Sequence, residues 1–272
     1  MPISKTNRTY ASRYKTDVSV SQTSNVGFDA TTRKLCSGDG ADSSTSLSDD
    51  VLQVQPVNDN TTGTMLVKNQ GGSNILSVDT TNSKVLVGAS QTAANTQYAY
   101  FGIVNDASAG WVADTHFGIP FTSGESGGIH YVGMGSSTSS SFNDTDPASS
   151  LTLTNNAYLY INAYWYVMDN ITIDAVKWLH SADAATGDST AAHLMAYTVD
   201  IANGSTGGDL SSGTVVADGA AITNAGYEQI NYQSMTIQSA DVDAGKVILF
   251  TFASDTVNSD YNINATVKYH IR

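Results

Sequence analysis

The sequence predicts an all-β protein: an extended N-terminal arm, a short β-rich stalk and a C-terminal antiparallel β-sandwich. Three observations carry this. Charged residues make up only 14% of the 272 positions, with 23 glycines and four prolines, a composition suited to many short strands joined by polar turns. Apolar runs of three or four residues recur at spacings near ten through residues 51–88. Beyond residue 95, strict period-two alternation appears, clearest at 261–271, where Tyr261, Ile263, Ala265, Val267, Tyr269 and Ile271 alternate with Asn262, Asn264, Thr266, Lys268 and His270.

The arm comes first. Residues 1–24 have no sustained period and few large apolar side chains, so they bury too little surface to fold alone and are expected to order on a partner. Lys5, Arg8, Arg13, Lys15, Arg33 and Lys34 stand against Asp17 and Asp29 in the first 34 residues. That segment is net +4 in a chain of net −13, and the other 238 residues carry −17. Lys5, Arg8, Arg13 and Lys15 are therefore the predicted anchoring residues, docking on an acidic surface. Nucleic acid is not expected, because the acidic body would repel phosphate. Met1-Pro-Ile-Ser-Lys5 leads into no apolar stretch, so no secretory signal is expected. No run of eighteen apolar residues predicts a membrane span. The single cysteine, Cys36, excludes an intramolecular disulfide and is expected to be buried or half-buried.

The segment Val78-Asp-Thr-Thr-Asn-Ser-Lys-Val-Leu-Val-Gly88 reads as strand, polar turn, strand and glycine stop. A second copy lies at Phe28-Asp-Ala-Thr-Thr-Arg-Lys-Leu-Cys-Ser-Gly38, with Asp29 matching Asp79, Thr31 matching Thr81, Lys34 matching Lys84 and Gly38 matching Gly88. Residues 38–50 are dense in Asp and Ser but lack a calcium-loop register and read as a solvated linker. The runs Val51–Val54, Thr64–Val67, Ile75–Val78 and Val85–Val87 are too short to close a core in one chain. Three copies wound together, each giving one strand per layer, would close one. Residues 1–50 thus form arm and turn unit, 51–95 the stalk or collar, and 96–272 the head.

Twelve of the fourteen tyrosines and all three tryptophans lie in that last segment, which places the main core there. Strands are expected at 98–104, 116–121, 128–134, 157–168, 171–179, 193–201, 213–217, 227–237, 246–253 and 261–271. Val247-Ile-Leu-Phe-Thr-Phe252 is apolar on both faces and reads as a central strand covered on both sides. In 158–167, Leu159, Ile161, Ala163, Trp165 and Val167 occupy one face. Tyr158, Tyr160, Tyr164 and Tyr166 surround Asn162 on the other, and this ladder is the predicted subunit interface.

No catalytic, cofactor-binding or metal site is predicted. Gly124-Glu-Ser-Gly-Gly128 fits Gly-x-Ser-x-Gly and looks like a serine-protease nucleophile loop, but no helical period follows Ser126, as a nucleophile elbow requires. His116 and Asp114 are poorly spaced to serve it. His116, His130, His180, His193 and His270 are scattered, with no two at ligand spacing. Asp183 and Asp188 flank a Gly/Ala/Thr loop that reads as a plain acidic turn.

The apolar–Asp–Thr–Thr–x–x–Lys–apolar–x–x–Gly unit of residues 25–90 resembles segments of tailed-phage fibre and decoration proteins. At the fold level, the C-terminal strands look like the jelly-roll heads of such viral proteins. The resemblance implies a homotrimeric capsid-surface decoration or head-fibre protein on the outer surface of a virion, docked to other virion proteins through its arm. A short tail fibre or receptor-binding adhesin has the same build. A glycan-binding or glycan-cleaving module, with tyrosines stacked on host-surface sugar, is the third alternative.

Overall fold

A computed structural model describes residues 18–20, 28–38, 40–104, 113–121, 125–126, 147, 161–183, 186–200, 209–226, 228–256 and 260–272. The fold is all-β. It divides into two compact units, Met1–Ala94 and Asn95–Arg272.

The N-terminal unit holds two four-stranded antiparallel meanders. The first comprises β1 (Val18–Val20), β2 (Arg33–Ser37), β3 (Asp42–Leu47) and β4 (Leu52–Val54). The second comprises β5 (Met65–Lys68), β6 (Asn74–Asp79), β7 (Lys84–Val87) and β8 (Thr92–Ala93). Two expectations are corrected here. The predicted linker 38–50 contains β3, held between β2 and β4 with Lys34 3.4 Å from Asp42; its hydroxyl side chains suit a half-buried strand, and the missing apolar period hid it. Part of the predicted arm, Val18–Val20, pairs with Leu35–Ser37 of its own chain. Cys36 is half-buried.

The two turn copies share their aspartate. Asp79 accepts the backbone N–H of Asn82 at 2.9 Å and its side-chain amide at 2.8 Å, closing the β6–β7 hairpin. Ser83 takes φ 54° and Gly88 φ 73°, left-handed positions that only the glycine adopts freely. Asp29 accepts the Thr31 N–H at 2.8 Å and a forked pair from Arg33 at 2.6 and 2.8 Å. These donors hold both carboxyls below the usual carboxylate range, Asp29 well below it.

The C-terminal unit contains β9 (Thr96–Val104), β10 (Phe117–Ile119), β11 (Glu125–Ser126), β12 (Trp165–Tyr166), β13 (Ile171–Asp183), β14 (Ser189–Asp200), β15 (Asp209–Asp218), β16 (Ile222–Thr223), β17 (Gln229–Ser234), β18 (Thr236–Ile237), β19 (Asp241–Val242), β20 (Lys246–Ser254) and β21 (Asp260–Ile271). One sheet runs β11-β9-β21-β13-β17 and the other β10-β20-β14-β15-β18. Their inward side chains meet in one core, with Phe101, Trp178, Tyr261 and Val267 from the first sheet against Leu194, Phe250 and Phe252 from the second. This is sheet-on-sheet packing. As predicted, β20 is covered on both sides: Ile248, Phe250 and Phe252 enter that core, while Val247 and Leu249 join Met195, Tyr197 and Leu210 on the far face.

The predicted strand 157–168 is corrected. Ile161–Ala163 forms a 3-10 turn, and among the described residues of this segment only Trp165 and Tyr166 pair, with Ile248 and Val247 of β20. The reason is a full edge: Phe117–Ile119 of β10 already occupies Phe250–Phe252 on that side of β20. The alternation itself survives, since Ala163, Trp165 and Val167 are buried while Asn162, Tyr166 and Met168 are exposed.

Candidate functional site

The outward face of the β9-β21-β13-β17 sheet carries the features open to a ligand. Register places its side chains in rows across four strands that are distant in sequence. One row reads Val104, Asn262, Ser181, Ile230, and the next brings Asn264, Leu179 and Tyr232 together. Alternation puts these outward, while their neighbours Tyr261, Ile263, Trp178 and His180 point into the core. Val104 and Ile230 are 54% and 72% exposed. Between them lies an open cleft of about 250 Å³, lined also by Leu179, His180, Ser181, Asn262, Ile263 and Asn264. Lys177 Nζ sits 5.6 Å from the centre of the Tyr232 ring, a cation–π contact, and hydrogen bonding of the Tyr232 phenol to Lys177 and then to Ser234 draws its pKa downward.

Beneath this face, His180 anchors a buried polar cluster. Its ring stacks on Trp178 with centroids 4.6 Å apart. Nε2 lies 3.3 Å from both Asn224 Oδ1 and Thr190 Oγ1, and 3.2 Å from Asn231 Nδ2. Nδ1 has no partner among the described residues. Burial pushes the His180 pKa down to about 4, against a weaker upward pull from Asn224, so the ring is neutral near pH 7. Asp188 takes hydrogen bonds from Tyr261 Oη at 2.9 Å and Thr256 Oγ1 at 2.7 Å, so its carboxylate serves the sandwich.

The linkage sign follows from that burial. Above pH 6.5 the imidazole is neutral whether folded or unfolded, and it adds no pH dependence. As pH falls from 6.5 toward 4 the unfolded chain binds a proton that the folded one refuses, so stability declines by at most about 3 kcal/mol. The midpoint of thermal unfolding of the C-terminal unit should drop over that window, and His180→Gln should flatten the drop. The depressed carboxyls, Asp29 and Asp79, act at lower pH and in the other unit.

The other sequence-selected residues stand as follows. Lys5, Arg8, Arg13 and Lys15, like Tyr158, Tyr160 and His130, lie outside the described residues. Tyr164 is half-buried and packs on the Met195–Tyr197–Leu249 cluster of its own chain; Tyr166 is exposed. No continuous strand carries the predicted four-tyrosine ladder. Ser126 lies in β11, a parallel edge strand opposite Val104, with strand geometry in place of an elbow. His116 faces the other sheet, its ring 4.9 Å from His193 and its Nδ1 3.4 Å from Thr251 Oγ1. His270 sits 2.9 Å from Asp174. Among the described residues no three His, Cys, Asp or Glu side chains group to hold a metal, and no helix is long and apolar enough to cross a membrane. The cleft was missed in the sequence because residues 104, 181, 230 and 262 carry no shared local signal. Alternation in 261–271 was the one clue, since it set Asn262 and Asn264 on an outward face. Scanned against models of known protein families the chain matches none, and no curated protein sequence matches it.

Proposed function

We propose that this chain is a homotrimeric structural protein of a phage virion, a capsid-surface decoration or head-fibre protein docked through its basic arm with the β-sandwich outward. One observation carries the oligomer. In the second meander, register aligns Met65, Val78 and Val85 in one row and Val67, Leu76 and Val87 in the next, six apolar side chains on a single face. Met65, Val67, Val85 and Val87 are each 39–43% exposed in the isolated chain. Every buried hydrophobic among the described residues lies at or beyond Ala99, while Ser46, Ser77 and Asp79 are the buried residues before it. A unit whose described residues hold no apolar core is completed by other chains. Three such faces close a triangular core, with a whole sheet from each copy where the sequence pointed to one strand per layer.

The head supports the same reading. Counting its eight principal strands in chain order, one sheet runs first, eighth, third, sixth and the other second, seventh, fourth, fifth. Two Greek keys wound together give this order, that of a jelly roll. The virion assignment rests on the resemblance of the turn units at Asp29 and Asp79 to phage fibre and decoration segments.

Cryo-electron microscopy of particles labelled on this protein tests the reading: density at three-fold symmetric protrusions on the capsid is expected. Density at the tail would make it a short tail fibre, and its absence from particles would overturn the proposal. Removing residues 1–17, which spares β1, should leave a soluble trimer that no longer joins particles. Raised salt should weaken docking of the intact protein, because exposed charges are screened. Normal decoration by the truncated protein would place the anchor elsewhere.

A further inference from the structure

We infer that the cleft on the outward face of the β9-β21-β13-β17 sheet is a binding site for a neutral saccharide, read by Asn262, Asn264 and Ser181 and flanked by Val104 and Ile230. This deepens the virion-surface reading by giving the head a ligand class. The amides of Asn262 and Asn264 and the hydroxyl of Ser181 have no side-chain hydrogen bond to protein among the described residues. They lie side by side on the two middle strands, with apolar side chains on the strands to either side. The row Val104–Asn262–Ser181–Ile230 therefore runs apolar, polar, polar, apolar. A sugar ring has the same division: hydroxyls at its edge and apolar C–H faces. Amide side chains donate and accept at once, which matches hydroxyls that do both. A cleft of about 250 Å³ holds a compact ligand.

Charge selects the neutral class. Among the described residues, no acidic or basic side chain other than buried His180 lines the cleft, the nearby Lys177 is engaged over Tyr232, and the chain is net −13, which disfavours sialylated or phosphorylated ligands. A second copy of the chain fits less well. Three adjacent uncharged polar groups at the centre of a protein interface would each need a matched partner or lose their hydration without return.

The test is a printed array of neutral and sialylated oligosaccharides probed with the full chain, followed by calorimetric titration of the strongest neutral hit. Neutral glycans should bind, and the Asn262→Ala, Asn264→Ala double variant should lose affinity by at least about tenfold with unchanged circular dichroism and oligomeric mass. Ile230→Arg, at a site already open to water, should lose binding in the same way and serves if the double variant misfolds. No neutral glycan bound at millimolar concentration, binding undiminished in both variants, or preference for sialylated glycans would overturn the proposal. A changed oligomeric mass in either variant would make the cleft a subunit contact and overturn it too. Particle location and the mass of the unmodified protein report on the virion proposal separately, so either can fail alone.

Discussion

Val78→Asp should break the assembled protein into monomers at micromolar concentration while leaving the C-terminal sandwich folded. Val78 sits on β6, between Met65 of β5 and Val85 of β7, the middle of the six-residue apolar face. A carboxylate there is harmless in a lone, hydrated sheet. In the proposed trimer it would be buried against two symmetry-related faces and lose its hydration, a penalty of several kcal/mol in each copy. The penalty would recur in each of the three proposed copies, so the expected change in association constant is very large. Thr81→Asp, at the exposed hairpin turn, is the matched control and should keep the oligomer. Native mass spectrometry separates the outcomes: a trimer surviving Val78→Asp would mean that the face is covered by something other than its own copies.

The second large effect belongs to Trp178. It is fully buried at the place where the two sheets meet, its ring 5.8 Å from Phe252 and 6.3 Å from Phe250, with Nε1 donating to Gln233 Oε1 at 3.0 Å. Gln233 in turn donates to the Ala220 carbonyl at 2.8 Å, so one indole ties β13 to β17 and to the chain before β16. Trp178→Ala should destabilise the C-terminal unit by about 3–5 kcal/mol, the range for emptying an aromatic site in a close-packed core, plus the orphaned Gln233 amide. Urea unfolding followed by far-ultraviolet circular dichroism measures it; a loss under about 1 kcal/mol would mean the site collapses without strain. Trp165→Ala, at a core margin where the ring stacks on Phe121, should have the smaller effect.

Which parts of this fold could be read in advance depends on whether a signal is local. The strand 261–271 and the doubly buried 246–253 were legible because burial on one or both faces writes its period directly into consecutive residues. The segment 157–168 shows the limit of that signal. Alternation there reports which side chains face the core, but hydrogen bonding is decided by whether a neighbouring edge is free, and β10 had taken it. β3 escaped for the opposite reason: its Asp-Ser-Ser-Thr-Ser-Leu sequence has no apolar period, yet it pairs on both sides. The apolar face of the second meander was half legible. The short runs were visible, but only the hairpin registers revealed that Met65, Leu76 and Val87 share a side. For the cleft, the only advance clue was the outward set of 261–271, because its other residues come from three other strands.

β9 and β21 pair over nine positions, from Thr96 with His270 to Val104 with Asn262, and β21 also pairs along β13. The middle of this sheet therefore does not exist until Asp260–Ile271 has left the ribosome. Until then β9 and β13 are two open edges facing a gap, each able to accept a stray strand from a neighbouring chain. A chain lacking Asp260–Ile271 would keep both of those edges unpaired and should associate through them.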